Sequence, residues 1–245
     1  MSLSVSIVIP ALNEEEALPN VLSAIPDGVC QRIVVVDNGS NDDTGSAALQ
    51  ADAEVVSQPR RGYGRACLAG IAHLKSSTPD IVVFLDADYS DYPEDCAALL
   101  QPILTGDIDM VCGSRVELAE AGALAPQVRY GNALAIFLIR VLHGFAYTDM
   151  GPFRAIRWEA LRQLEMCDPT YGWNAEMQVK AVQRGLKVAE VPVRYRRRIG
   201  RSKISGSVRA TVLAGVMIIW TIIVLKVFPK QQERRRENGS IEPVS

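Results

Sequence analysis

The run Ile81-Val-Val-Phe-Leu85 ends abruptly in Asp86-Ala87-Asp88. A short run that is apolar on both faces describes a strand buried within a parallel sheet. Carboxylates at its carboxyl end then fall where open α/β sheets hold their ligands. In extended chain, residues i and i+2 point to the same side, so Asp86 and Asp88 can converge on one hard cation. Oxygen ligands with few other donors nearby suit Mg²⁺ or Mn²⁺ completed by substrate phosphates. The same pair can instead cap the turn into Asp91-Tyr-Pro-Glu-Asp95.

The rest of the chain repeats this punctuation. Leu3 to Pro10 reads as a first strand, followed by the turn Pro10-Ala-Leu-Asn-Glu-Glu15 and a helix to about Ile25. Arg32 to Asp37 reads as a second buried strand with a carboxylate at its end, and Asn38 to Thr44 as a turn with helix-capping residues. A helix over Gly45–Ala51, a strand over Glu54–Ser57, a helix over Arg65–Lys75, a helix over Pro93–Leu104 and a strand over Met110–Arg115 complete the pattern. Strands alternating with helices predict a doubly wound, mostly parallel sheet. Right-handed crossovers gather its strand ends, and so Pro10, Asp37, Asp86 and Asp88, on one rim. Gly62-Tyr-Gly64 either lets backbone approach a phosphate or serves a tight turn.

The length of 245 residues allows one sizeable domain with appendages, and an apolar content of 48% with 22% charged residues is that of a globular chain. A net charge of −2 gives no reason to expect nucleic acid as a partner. Positive charge is concentrated late, over Arg194–Arg209 and Lys226–Arg236, as suits phosphates or an anionic lipid surface. Cys30, Cys67, Cys96, Cys112 and Cys167 are scattered, which predicts reduced thiols and no zinc site. The chain opens directly into a strand, so no cleavable signal peptide is expected.

Val8-Ile-Pro-Ala-Leu-Asn-Glu-Glu15, Val35-Val-Asp-Asn-Gly-Ser40, Gly62-Tyr-Gly-Arg-Ala66 and Leu85-Asp-Ala-Asp88 occur in this order. Together they resemble family-2 glycosyltransferases of the GT-A fold. Gly113-Ser-Arg115, Asp149-Met-Gly-Pro-Phe-Arg154 and Gly200-Arg-Ser-Lys-Ile204 resemble the dolichol-phosphate, or polyprenyl-phosphate, sugar transferase branch. The resemblance spans roughly residues 3 to 207. It implies that Pro10, Ala11, Asn13, Glu14, Asp37 and Gly64 bind the nucleotide-sugar, and that Asp86 and Asp88 hold its diphosphate through the metal. Arg115, Arg129, Arg201, Ser202 and Lys203 would bind the acceptor phosphate. Ser90 stands where the branch often has Gln, with Asp91 beside it, and Gly151-Pro-Phe153 replaces the usual Ser-Gly-Phe.

In the acceptor half, Arg129–Tyr147 is an apolar helix interrupted by Arg140, suited either to packing on the sheet or to lying in a lipid interface. Asp149–Ile156 is expected to return a strand to the rim. Tyr171–Glu176 leads into a helix, and Lys187–Val193 reads as an edge strand that tolerates Pro192. Glu176 matches the first member of a Glu-Asp pair in related enzymes, and its second member is Met177 here. A hydroxyl acceptor needs a base, whereas a phosphate monoester is already anionic. The weakened base position fits a lipid-phosphate acceptor. Seven basic residues from Arg194 to Arg209 can order as a lid over phosphates.

Val208–Phe228 is apolar all round, but its uncharged part, Ala210–Leu225, falls short of the ~20 residues that span a bilayer. It reads as a short membrane helix, an interfacial helix or a dimer helix, and residues 229–245 as a polar, disordered tail. The expectation is a GT-A domain over 1–207, divided near 115 into nucleotide-sugar and acceptor halves, with a C-terminal hydrophobic helix over 208–228. It would act on the cytoplasmic face of a membrane as an inverting, metal-dependent transferase. The reaction would move mannose or glucose from a GDP- or UDP-hexose to a polyprenyl or dolichyl phosphate, with Asp86, Asp88 and Glu176 as the catalytic set. The alternative acceptor is a hydroxyl of another lipid or of a soluble molecule, with Glu176 or Asp149 as base.

Overall fold

Seven strands form one sheet in the order β3-β2-β1-β4-β6-β5-β7. The computed structural model describes residues 3–200 and 208–227. Arg201, Ser202 and Lys203 lie outside the described residues, as does the segment 229–245. The strands are β1 Val5–Ala11, β2 Arg32–Asp37, β3 Glu54–Ser57, β4 Ile81–Phe84, β5 Met110–Ser114, β6 Arg154–Arg157 and β7 Val188–Pro192. All pairings are parallel except those of β6, which runs antiparallel to both β4 and β5.

The period of two in the apolar runs decides which layer each side chain joins. Ile7, Ile9, Val35, Ile81 and Val83 face one cluster. That cluster is completed by α1 (Leu18–Ala24), α2 (Thr44–Gln50) and α4 (Cys96–Thr105), the last preceded by a 3₁₀ turn at Pro93–Asp95. Val8, Val34, Val36, Val82 and Phe84 face the other cluster. It is covered by α3 (Tyr63–Leu74), α5 (Pro126–His143), α6 (Trp158–Leu164), α7 (Trp173–Gln183) and α8 (Val208–Val227). Burial on both faces is what permits strands with no polar alternation.

The direction of β6 matters most for the site. Arg154 stands opposite Phe84 on β4 and Cys112 on β5. The segment leading into β6, Asp149–Phe153, is therefore delivered beside Asp86 and Arg115, at the rim where the parallel strands end. β6 starts at Arg154 and is shorter than the sequence suggests, because 149–153 is taken up by side-chain contacts at the rim. α6 follows β6 with no loop and was not foreseen.

The hydrophobic C-terminal segment does not stand apart. Among the described residues, no helix is long and apolar enough to cross a membrane. α8 packs on α5 and α7, burying Ala214, Ile222 and Leu225. Side chains tether it at three points. Thr221 Oγ1 donates to Asp168 Oδ2 at 3.0 Å, Gln183 Nε2 donates to the Leu225 carbonyl at 2.9 Å, and a ring nitrogen of His143 meets the Ile222 carbonyl at 3.1 Å. Of the three readings of this segment the spanning helix is corrected accordingly: one face of the helix is consumed by the domain.

α3 lies close against β1 and β2 because Gly70 presents no side chain. A Cβ there would sit 2.5 Å from Val8 Cγ1 and 3.2 Å from Val36 Cγ2. Both valines are buried and stiff at χ1. Gly70→Ala is expected to overpack this layer and lower stability by about 1–3 kcal/mol, read as a reduced urea midpoint at unchanged slope.

Candidate active site

The loops after β1 and β2 are sewn together by side chains. The Asn13 amide donates to Ser40 Oγ (3.0 Å), the Asn41 amide to Asn13 Oδ1 (2.8 Å), and the Glu14 amide to Thr44 Oγ1 (2.9 Å). Asp37 sits at the end of β2 opposite Ala11, and its Oδ1 accepts the Ser40 amide at 3.0 Å. Asn13 adopts a left-handed φ of 50°, a conformation Asn tolerates better than most residues. Ala11, Asn13, Glu14 and Asp37 thus surround one edge of the rim, with Pro10 on β1 beside them.

Asn38, not among the expected site residues, extends this network. Its Nδ2 donates to the carbonyls of Gln58 and Arg60, both at 3.0 Å, and its Oδ1 accepts the Gly62 amide at 2.7 Å. This fixes the approach to α3. The glycines there are also required by close packing. The Gly64 amide donates to the Thr170 carbonyl (3.2 Å) and the Arg65 amide to the Pro169 carbonyl (3.1 Å). A Cβ at Gly64 would collide with the Asp168 carbonyl, and one at Gly62 with the Pro169 carbonyl. Gly64 is where the donor half meets the 168–170 turn of the acceptor half.

Asp86 and Asp88 leave the end of β4 as expected. The Tyr63 hydroxyl donates to Asp86 Oδ1 at 3.0 Å. Burial, reinforced by the neighbouring Asp86 charge, pushes the Tyr63 hydroxyl well above its ordinary value, so it remains a donor. Burial and then the Asp88 charge raise the Asp86 carboxyl to about 7. Asp88 Oδ1 accepts the Ser90 amide (2.9 Å) and hydroxyl, and its Oδ2 lies 3.0 Å from Nη1 of Arg198. Arg198 Nη2 reaches Glu14 Oε1 at 2.8 Å. Arg198 escaped the sequence reading because nothing in a run of basic residues says which one points inward.

Asp91 is buried with neither carboxylate oxygen hydrogen-bonded. Burial, then the nearby Asp86 charge, raises its carboxyl well above the usual range. Asp86, Asp88 and Asp91 thus lie close together, and of the three only Asp88 has an ion pair among the described residues. The donor set is all oxygen, which fits a hard divalent cation. Among the described residues no group of three or more acidic, His or Cys side chains converges on one point. Asp86 and Asp88 would therefore hold such an ion with substrate oxygens completing its shell.

On the acceptor side, Arg115 and Asp149 form a buried, two-pronged pair: Nε to Oδ2 at 2.7 Å and Nη2 to Oδ1 at 2.9 Å. The Arg115 guanidinium also lies 4.9 Å from the centre of the Tyr195 ring. Burial works against the charged form of Asp149, but Arg115 outweighs it and holds the carboxyl below its ordinary value. Arg129 is exposed near the start of α5. That helix is tied to the rim by Asn132 Oδ1, which accepts the Met150 amide at 2.9 Å.

Glu176 is placed differently from a base facing substrate. It is fully buried on α7 and lies 2.7 Å from Lys180 Nζ. Its oxygens accept the amides of Cys167 (3.1 Å) and Asp168 (2.7 Å). It holds the 167–170 turn on which Gly64 rests.

Comparison with known proteins follows the same lines. The sequence model of glycosyl transferase family 2 matches residues 6–164. A glycosyltransferase of Mycobacterium tuberculosis is 40% identical over 222 residues, covering 90% of this chain and 98% of its own. An undecaprenyl-phosphate mannosyltransferase of Micrococcus luteus is 31% identical, covering 85% and 90%. Among solved structures, glucosyl-3-phosphoglycerate synthase from Mycobacterium tuberculosis with Mn²⁺, UDP-glucose and phosphoglyceric acid superposes with a TM-score of 0.73 at 28% identity. That match covers 91% of this chain and 79% of the synthase.

Glu176→Gln is expected to break the pair with Lys180 and lower stability by about 3–5 kcal/mol. The folded fraction should still bind a nucleoside diphosphate with Mn²⁺. Urea unfolding and calorimetric titration check the two halves of this expectation; loss of binding at full folding would place Glu176 in the site itself.

Proposed function

This chain belongs to glycosyl transferase family 2, and from that premise we propose that it transfers a hexose from a nucleotide-sugar to a phosphate carried by a polyprenyl or dolichyl lipid. The observation that carries the reading is the state of Asp149 and Glu176, the two carboxylates that the sequence offers as bases for a hydroxyl acceptor. Asp149 is locked to Arg115, which makes it a weak base, and Glu176 is locked to Lys180. A hydroxyl acceptor would need such a base, whereas a phosphate monoester is already anionic at neutral pH.

The reaction then moves no proton. A phosphate oxygen of the acceptor bonds to the anomeric carbon as the bond from that carbon to the diphosphate breaks, and attack from the opposite face inverts configuration. Asp86 and Asp88 would hold a divalent ion, Mg²⁺ or Mn²⁺, which would supply charge neutralisation for the departing nucleoside diphosphate. Tyr63 and Ser90 fix the two carboxylates. Pro10, Ala11, Asn13, Glu14 and Asp37 form the edge that receives base and ribose. Arg129, with Arg201, Ser202 and Lys203 beyond the described residues, would orient the acceptor phosphate, and Arg115 shapes the rim through Asp149.

A lipid carrier is supported by the surface beside the rim. α5 exposes Tyr130, Leu134, Phe137 and Val141, and the packed α8 exposes Val216 and Trp220, the last at 65%. Two adjoining helices with large apolar side chains turned outward suit the headgroup boundary of a membrane, where Arg129, Arg140 and Lys226 can reach phosphates. We place the enzyme on the cytoplasmic face, as an interfacial rather than spanning protein. A second reading has support from the structural neighbour crystallised with phosphoglyceric acid: a soluble phosphate-bearing acceptor.

The test screens GDP- and UDP-hexoses with Mn²⁺ for nucleoside diphosphate release. The acceptor arms are a short polyprenyl phosphate, the corresponding polyprenol, and phosphoglyceric acid. Release that requires the polyprenyl phosphate and is lost in Asp88→Asn is the expected result. Release with polyprenol alone would overturn the acceptor class, and release with phosphoglyceric acid alone would establish the second reading.

A further inference from the structure

Residues 194–199 lie as a strap across the turn that follows Asp88. Tyr195 forms an antiparallel bridge with Asp91. The Arg196 amide donates to the Ser90 carbonyl at 2.9 Å and the Ile199 amide to the Asp88 carbonyl at 3.0 Å. Outer residues pin the strap: Arg194 pairs with Asp95 at 2.6 Å, and Arg196 stacks on Tyr89 (3.3 Å to the ring centre) and Tyr92 (4.0 Å). None of these contacts involves the Arg198 side chain, so its position over the site is set independently of what it touches there.

What it touches is the donor machinery. One guanidinium bridges Asp88 Oδ2 and Glu14 Oε1. Without a cation these two carboxylates, on separate loops, would face each other in a pocket that already holds Asp86 and Asp91. Arg198 supplies that charge. Its seat is imperfect, however: Nε is buried with no hydrogen-bond partner. An unmet buried donor is costly, and a planar guanidinium is well shaped for two phosphate oxygens.

We infer that Arg198 is a built-in counter-ion that occupies the cation position between Asp88 and Glu14 and exchanges those carboxylates for the donor's diphosphate when metal and nucleotide arrive. The metal and the guanidinium compete for Asp88 Oδ2, two cations repelling each other at one oxygen, so the nucleotide-free protein binds metal weakly. The diphosphate makes metal entry favourable by giving Arg198 a new partner, which couples the two ligands. This rests on the nucleotide-sugar half of the proposed function and is independent of the acceptor.

The experiment is equilibrium binding in wild type, Arg198→Ala and Arg198→Lys. Free Mn²⁺ is followed by its electron paramagnetic resonance signal without nucleotide, and UDP and GDP are titrated calorimetrically at saturating Mn²⁺. Arg198→Ala is expected to bind Mn²⁺ about tenfold tighter without nucleotide and the nucleoside diphosphate about tenfold weaker with it. Arg198→Lys should move both constants in the same opposite directions by less, and it decides the matter if the alanine variant does not fold. Affinities that fall together, or Mn²⁺ affinity that stays unchanged, would overturn the inference. A wild type that binds neither Mn²⁺ nor nucleotide would instead defeat the functional reading beneath it.

Discussion

A crowd of carboxyl groups in a poorly solvated place at the end of β4 governs this molecule. The strand itself is apolar on both faces and is driven into the middle of the sheet, which carries Asp88 and Asp91 into surroundings where carboxylates are poorly solvated, with the half-buried Asp86 beside them. Every group around them answers that problem. Tyr63 and Ser90 donate hydrogen bonds and Arg198 supplies a cation, while both carboxylate oxygens of Asp91 stay without a hydrogen bond. The sheet provides the location, and the crowded carboxyl groups give the location its chemistry.

A second constraint joins the halves of the domain. The 167–172 turn touches α3 through Gly62 and Gly64, α7 through Glu176, and α8 through the Asp168–Thr221 hydrogen bond. Gly172 is squeezed between Asp168 and Thr221 in the same place. The residue that carries Tyr63 to Asp86 and the helix that exposes Trp220 therefore rest on one short turn. The apolar surface and the rim of the sheet are thus joined through the same few residues.

Local signals in the sequence carried most of the fold. The periodicity placed β2 at 32–37 and β3 at 54–57 with the bounds observed, and the carboxylates at the ends of β2 and β4 did gather on one rim. The missed features depend on contacts between distant positions. The reversed direction of β6 follows from which neighbours it finds, not from its own residues. Arg115 and Asp149 are 34 residues apart, so their pairing has no sequence period. Glu176 resembled a base by position, but its fate was settled by Lys180 one helical turn later and by the amides of a turn on another segment. Arg198 is one of seven basic residues in its stretch, and the register that turns it inward is set by contacts of its neighbours with distant positions, among them the Tyr195–Asp91 bridge and the Ile199 amide on the Asp88 carbonyl. The mostly apolar Val208–Phe228 left a spanning, an interfacial and a dimer helix open, because its tethers are supplied by His143, Gln183 and Asp168 from elsewhere.

The central claim is that the acceptor arrives already ionised, so that transfer needs no base. Its most direct test is the single-turnover rate of hexose transfer to polyprenyl phosphate in H₂O and in D₂O at matched pH plateau. Proton transfer in the transition state slows in D₂O, so a base-free reaction should give a rate ratio of about 1, whereas a ratio of about 2 or more would mean that a proton is removed and would contradict the account.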